Sequence, residues 1–183
     1  MLSNAINCTI FDGIGLGVIN NDDSKIPVND VGYTGPLSYQ GKTMVWSDEF
    51  NAETLNANNW SYDVGDGCPN CGWGNNELQS YTRGDNVSFS SGKMIIEARK
   101  ENKGGKSYTS ARLITLGKTT WTYGRIEVRA KIPKGFGTWP AIWMLGENIN
   151  SVGWPACGEI DIMEHVGKDQ DVMFWSIHTK RLN

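Results

Sequence analysis

Three carboxylates fall within six residues of an otherwise apolar segment, Glu159-Ile-Asp161-Ile-Met-Glu164. Residues two apart on a strand share a face, so Glu159 and Asp161 point together while Ile160 and Ile162 point away. Glu164 stands an odd five residues after Glu159, and a regular strand would turn it to the isoleucine face. One extra residue, a β-bulge near Met163, returns it to the face of the other two, and bulges are over-represented beside active sites. The two glutamates are then about four strand steps apart, roughly 13 Å between Cα atoms at ~3.3 Å per residue. On a concave sheet their carboxyl groups could approach the ~5 to 5.5 Å of a retaining glycosidase. Like charges this close cannot all ionise easily, which supplies a neutral acid beside an ionised nucleophile. Solvated strand charges or a cation site are the competing readings of the spacing.

The elements that must hold such a cluster read as strands. Short β-branched and aromatic runs bounded by Gly, Asn, Asp and Pro occur at 43–46, 87–90, 94–99, 110–115, 124–131, 141–145, 159–164 and 172–178. The clearest alternation is Arg125-Ile-Glu-Val-Arg-Ala-Lys-Ile132, apolar on even numbers and charged on odd ones, as expected of a strand with one wet face. Hardly any stretch carries a helical period, so an antiparallel sandwich is the expected architecture. Composition shifts near residue 40. Residues 1–24 read as one strand and a turn, similar to the last strand of a Calx-beta-like domain, and 25–42 as a linker, leaving 43–183 as the main domain.

Composition narrows the function. With 39% hydrophobic and 20% charged residues and no long apolar run, no membrane span is expected. Seventeen basic against 20 acidic residues, net -3, with no basic stripe, make nucleic acid an unsuitable partner. The chain carries 22 Gly and 8 Trp, a tryptophan load that suits either a β core or a surface that stacks on sugar rings. No basic, apolar leader with a cleavage site opens the sequence. Cys68-Pro-Asn-Cys71 has the spacing of a zinc half-site, but Cys8, Cys157, His165 and His178 are scattered and form no second half. A local disulfide or two free thiols is the better expectation.

The segment Gly137-Thr-Trp-Pro-Ala-Ile-Trp-Met-Leu145 followed by Glu159-Ile-Asp-Ile-Met-Glu164 resembles the catalytic region of glycoside hydrolase family 16, and its laminarinases, endo-1,3-β-glucanases, in particular. The resemblance runs from about Met44 to Asn183. It includes Trp46-Ser-Asp-Glu-Phe50, Gly72-Trp-Gly-Asn-Asn-Glu-Leu-Gln-Ser-Tyr81, Ser110-Ala-Arg-Leu-Ile-Thr115, Tyr123-Gly-Arg-Ile-Glu-Val-Arg129 and Ser176-Ile-His-Thr179. It implies an all-β, concanavalin-like jelly-roll sandwich with a concave substrate cleft, here incomplete at the C-terminal side. It also implies hydrolysis of internal β-1,3-glucan bonds with retention. Glu159 would be nucleophile, Glu164 acid and then base, and Asp161 the residue that holds Glu159 and tunes its neighbours.

At positions matching the family's substrate contacts stand Asn76, Arg112, Trp139, Trp143, Trp154 and His178. Trp139 and Trp143 share a face only if the strand runs regularly past Pro140. His165 reads as structural, and Trp46, Trp60 and Trp121 as core or convex side. No cofactor is required by the chemistry. A structural calcium is implied on the convex face, through backbone oxygens of Glu49 and Gly92 and a carboxylate near the end of the family's domain. The chain reads as a fragment of a secreted or cell-surface monomer. Mixed-linked glucan, marine galactans and a non-catalytic glucan-binding role are the alternatives. The bulged strand favours β-1,3-glucan, and the full set of three carboxylates favours an enzyme.

Overall fold

In the computed structural model, which describes residue 36 and residues 38–180, the β-branched and aromatic runs form strands of three to six residues. In chain order these are β1 (Ser61–Asp63), β2 (Gln79–Tyr81), β3 (Val87–Phe89), β4 (Met94–Ile96), β5 (Tyr108–Ser110), β6 (Arg112–Ile114), β7 (Ala141–Leu145), β8 (Glu159–Glu164) and β9 (Phe174–His178). A 3-10 turn at Cys71–Gly74 and one helical turn, α1 (Ile149–Val152), are the other regular elements among the described residues. The chain divides into two units between Ser47 and Asp48, against an expected boundary at 42/43. The Calx-beta-like reading of 1–24 and most of the 25–42 linker lie outside the described residues. The second unit holds all of these elements.

Its largest sheet is antiparallel, in the order β7-β8-β9, so the carboxylate strand is central and hydrogen-bonded on both edges. β1 pairs with β6 and β3 with β4, also antiparallel. β2 and β5 run parallel, a departure from the all-antiparallel expectation. A parallel pair needs a crossover of a dozen or more residues, and the segment 82–107, with the β3-β4 hairpin inside it, supplies that.

A polar knot ties these small sheets together. Thr82 Oγ1 donates to Asn86 Oδ1 at 2.6 Å, and Asn86 Nδ2 donates to Thr109 Oγ1 at 2.9 Å and to the Glu97 carbonyl at 2.8 Å. All three side chains are buried, and their mutual pairing removes the cost of burying them. Ala111 and Met163 are the most buried apolar side chains among the described residues. Trp60 is half-buried, donates its indole N–H to Asp48 Oδ2 at 2.9 Å, and packs its ring 6.2 Å from Phe50.

Two expected strands do not form. Residues 43–46 and 124–131 carry no ladder, and Ile126 and Val128 are 43% and 54% exposed. Alternation specifies which face would be wet, but a strand exists only where a neighbour accepts its backbone bonds. The charged face of the second segment is nonetheless ordered locally, with Arg125 and Glu127 paired at 2.8 Å.

Candidate active site

The parity problem posed by Glu164 is solved by the expected bulge. Along β7, Ala141, Trp143 and Leu145 alternate regularly and lie opposite Glu164, Asp161 and Glu159. Directly opposed residues in an antiparallel pair share a face, so all three carboxylates stand on the face of Trp143. The register slips between Ile142 and Trp143, leaving Ile162 as the extra residue, and slips again between Asp161 and Glu164 against β9. On that edge Phe174, Ser176 and His178 oppose Glu164, Asp161 and Glu159.

Each carboxylate has its own partner. Trp154 Nε1 donates to Glu159 Oε2, and Trp139 Nε1 donates to Glu164 Oε1 at 3.0 Å. Asp161, 5% exposed, hydrogen-bonds Glu159 and pairs with His178 Nε2 at 3.2 Å. Burial first, and then the charge and hydrogen bond of Glu159, push the Asp161 carboxyl above its ordinary 3.8, with His178 pulling the other way. A carboxyl that keeps its proton next to a carboxylate is suited to donate a hydrogen bond to it. The Trp154 ring lies 5.8 Å from the His178 ring, while Trp139 and Trp154 remain 51% and 59% exposed. Two large aromatic faces therefore flank the carboxylates and stay open to solvent, which suits the apolar CH faces of pyranose rings.

Arg112 comes to this face from β6. Its guanidinium carbon sits 4.2 Å from the centre of the Trp73 ring and 4.7 Å from that of Trp143, with Asp63 Oδ2 3.0 Å from Nε. Trp73 is presented by a tight loop closed by a Cys68–Cys71 disulfide, so the cysteine pair is oxidised and offers no thiolates to zinc. Gly67 makes room for it. At φ 79° a Cβ there would lie 2.6 Å from Trp73 Cδ2. Behind the loop, Glu77 accepts hydrogen bonds from Gln79 at 2.6 Å and Tyr81 at 2.7 Å, and the Tyr81 ring lies 5.8 Å from Trp73. Burial and then Glu77 raise the Tyr81 hydroxyl well above its ordinary range, which keeps it a neutral donor.

Of the residues expected from the sequence, Glu159, Asp161, Glu164, Trp139, Trp154 and His178 converge directly, and Arg112 joins them through Trp143. Asn76 stands exposed on the turn after Trp73, at φ 58°, outside the hydrogen-bond network of the carboxylates. Trp143 is half-buried beneath Arg112 rather than open. His165 is 1% exposed with Nε2 at 3.1 Å from the Gln170 carbonyl, and it faces away from the cluster. Asp63, Trp73, Glu77 and Tyr81 were not singled out by sequence reasoning. The aromatic content of Gly72-Trp-Gly was the one local signal available for them.

A family model for the XgeA-like catalytic domain of glycoside hydrolase family 16 matches residues 75–182. A β-glucanase from Rhodothermus marinus is 54% identical over 145 residues, covering 76% of this chain and 49% of that protein. A glucan endo-1,3-β-glucosidase from Cryptopygus antarcticus is 44% identical over 140 residues, 73% of this chain and 49% of that protein. The crystal structure of a laminarinase from Flavobacterium sp. is 53% identical with a TM-score of 0.70, covering 74% of this chain and 57% of that one. The strands described above thus belong to the jelly-roll fold of the laminarinases. The chain spans about half the length of the relatives it matches.

Proposed function

The chain belongs to glycoside hydrolase family 16, and we propose that it cleaves internal β-1,3-glucosidic bonds of a laminarin-type glucan with retention of configuration. The observation that carries this reading is the double register slip in β8, which puts Glu159, Asp161 and Glu164 on one face. Glu164 gives its proton to the glycosidic oxygen as that bond breaks, and Glu159 Oε attacks the anomeric carbon to form a glycosyl ester. Glu164, now a carboxylate, takes a proton from water, whose oxygen displaces Glu159 from the anomeric carbon. Asp161, whose carboxyl is pushed above its ordinary range by burial and by Glu159, orients Glu159 through their hydrogen bond. Trp139 and Trp154 hold the carboxylates by their N–H groups and offer ring faces to the sugar.

Laminarin-type glucan is favoured by the bulged strand and by relatives named for β-1,3-glucan and laminarin. Action outside the cell or at its surface follows from the size of such a polymer. No helix among the described residues is long and apolar enough to cross a membrane. For a structural calcium, the Glu49 carbonyl and the Asn51 carboxamide oxygen lie 3.9 Å and 3.1 Å from where a Cβ would stand on Gly92. This oxygen-rich corner fits a hard cation in donor chemistry, and a calcium there would brace the loop without entering the reaction.

The test is product chromatography on laminarin, mixed-linked glucan, agarose and carrageenan with wild type, Glu159→Gln and Glu164→Gln. Laminari-oligosaccharides from wild type, with kcat reduced about 10²- to 10⁴-fold in Glu164→Gln, are expected. Glucan binding without any product from wild type would make the protein a glucan-binding module instead.

A further inference from the structure

The Arg112 guanidinium is fixed on three sides. Two indoles, Trp73 and Trp143, cover its flat faces at 4.2 and 4.7 Å, and Asp63 Oδ2 lies 3.0 Å from Nε as an ion pair, with Nε making no hydrogen bond. Asp63 and Arg112 are directly opposed in the β1-β6 ladder, so the pair is set by strand register rather than by a chance surface encounter. Both side chains are largely covered, at 17% and 27% exposure for Arg112 and Asp63. What this clamp leaves is the Nη fork. Trp143, one wall of the clamp, lies opposite Asp161 across β7 and β8, so the fork borders the carboxylate face.

A mobile arginine beside three carboxylates would have a better electrostatic option than a sugar. It would fold onto Glu159 or Glu164 as a bidentate pair and neutralise the group the reaction needs. We infer that Asp63 is a positioning residue, which engages Arg112 from behind so that the Nη fork meets substrate hydroxyls and stays off the catalytic carboxylates. This inference rests on the carboxylate face being a glucan site. It assigns Asp63 no contact with the reacting atoms. Its effect is on binding, through Arg112, and the two residues act as one unit. The indoles restrict the guanidinium plane, and the Asp63 charge, 3.0 Å from Nε in an ion pair without hydrogen-bond geometry, biases its rotation within that plane.

The experiment is a double-mutant cycle of Asp63→Ala and Arg112→Met on laminarin, with Asp63→Asn and Asp63→Glu as companions. KM is expected to rise about fivefold in Asp63→Asn with kcat within about twofold, the scale of one partly covered ion pair. Asp63→Glu should restore most of the affinity, and Asp63→Ala should add nothing to Arg112→Met. An additive cycle, or a lower melting temperature with KM unchanged, would make Asp63 a brace for the β1-β6 pair only and overturn the inference. Calorimetric titration of laminarihexaose into the same variants carrying Glu159→Gln separates this from the catalytic reading. If wild type binds but does not cut, the titration still decides the role of Asp63, and if it neither binds nor cuts, both readings fall.

Discussion

Replacing Trp139 by Phe removes one hydrogen bond and keeps most of a ring face. The indole N–H donates to Glu164 Oε1 at 3.0 Å. When Glu164 is a neutral acid this bond is an ordinary one, worth about 0.5–1.5 kcal/mol, and when Glu164 has given up its proton it becomes a bond to a charge, worth about 1.5–3 kcal/mol. The difference, about 1 kcal/mol at this half-exposed position, is realised as the leaving oxygen takes the proton, so it lowers the barrier rather than improving ground-state binding. At 1.36 kcal/mol per decade, Trp139→Phe should lose about fivefold in kcat/KM on laminarin. An aryl β-laminaribioside with a dinitrophenolate leaving group needs no proton in that step, and on it the loss should shrink to less than about twofold. Trp139→Ala should lose further on both substrates, because the stacking face goes as well. Equal losses for Trp139→Phe on laminarin and on the aryl substrate would refute the reasoning and leave Trp139 as a stacking residue alone.

The raised Asp161 carboxyl makes stability depend on pH with a definite sign. The native state holds this proton more tightly than the unfolded chain, so its contribution is full below the ordinary value of 3.8 and is lost as pH rises through the native one. Asp161→Asn should therefore melt above wild type at pH 7, with the gap closing below about pH 4, while hydrolysis falls at least about tenfold. An equal gap at both pH values in thermal melts would contradict this. Removing the Cys68–Cys71 bridge as Cys68→Ser/Cys71→Ser frees a short loop, a loss of about 2 kcal/mol in the chain-entropy account, read as a melting temperature lower by a few degrees. Unchanged melting would show that the bridge adds nothing to the fold. Gly67→Ala places a Cβ against the Trp73 ring at φ 79° and should weaken laminari-oligosaccharide binding by displacing the ring from Arg112. Titration showing wild-type affinity would remove Trp73 from the account.

The carboxylate strand was legible because its constraint is local. Six residues with an odd spacing demanded a bulge, and β7 and β8 form at the bounds their hydrophobic runs specify. His165 was legible for the same reason, since parity sends it away from Glu164. Residues 124–131 carry an equally clean alternation and form no strand, because alternation records which side is wet and says nothing of a partner. The Trp73-Arg112-Trp143 stack was illegible as a unit. Its members come from a loop, β6 and β7, the two strands lie in different sheets, and only tertiary packing brings them together. Asp63 carries no sequence signal beyond being acidic and Glu77 none beyond its place in the 72–81 motif, and their roles exist only in the distances to Arg112 and Tyr81. The two fates of Cys68 and Cys71 left open by spacing were decided by the loop that brings them within bonding reach.

The geometry of β8 makes one claim more exposed than the others, that Glu159 attacks carbon directly and Glu164 serves both steps. Proton NMR of the first reducing ends released from laminarihexaose, recorded before mutarotation, reads this without any variant. The β-anomer appearing first, followed by slow growth of the α-anomer, is the predicted result. The α-anomer appearing first would mean a single displacement by water and would contradict the proposed roles of Glu159 and Glu164.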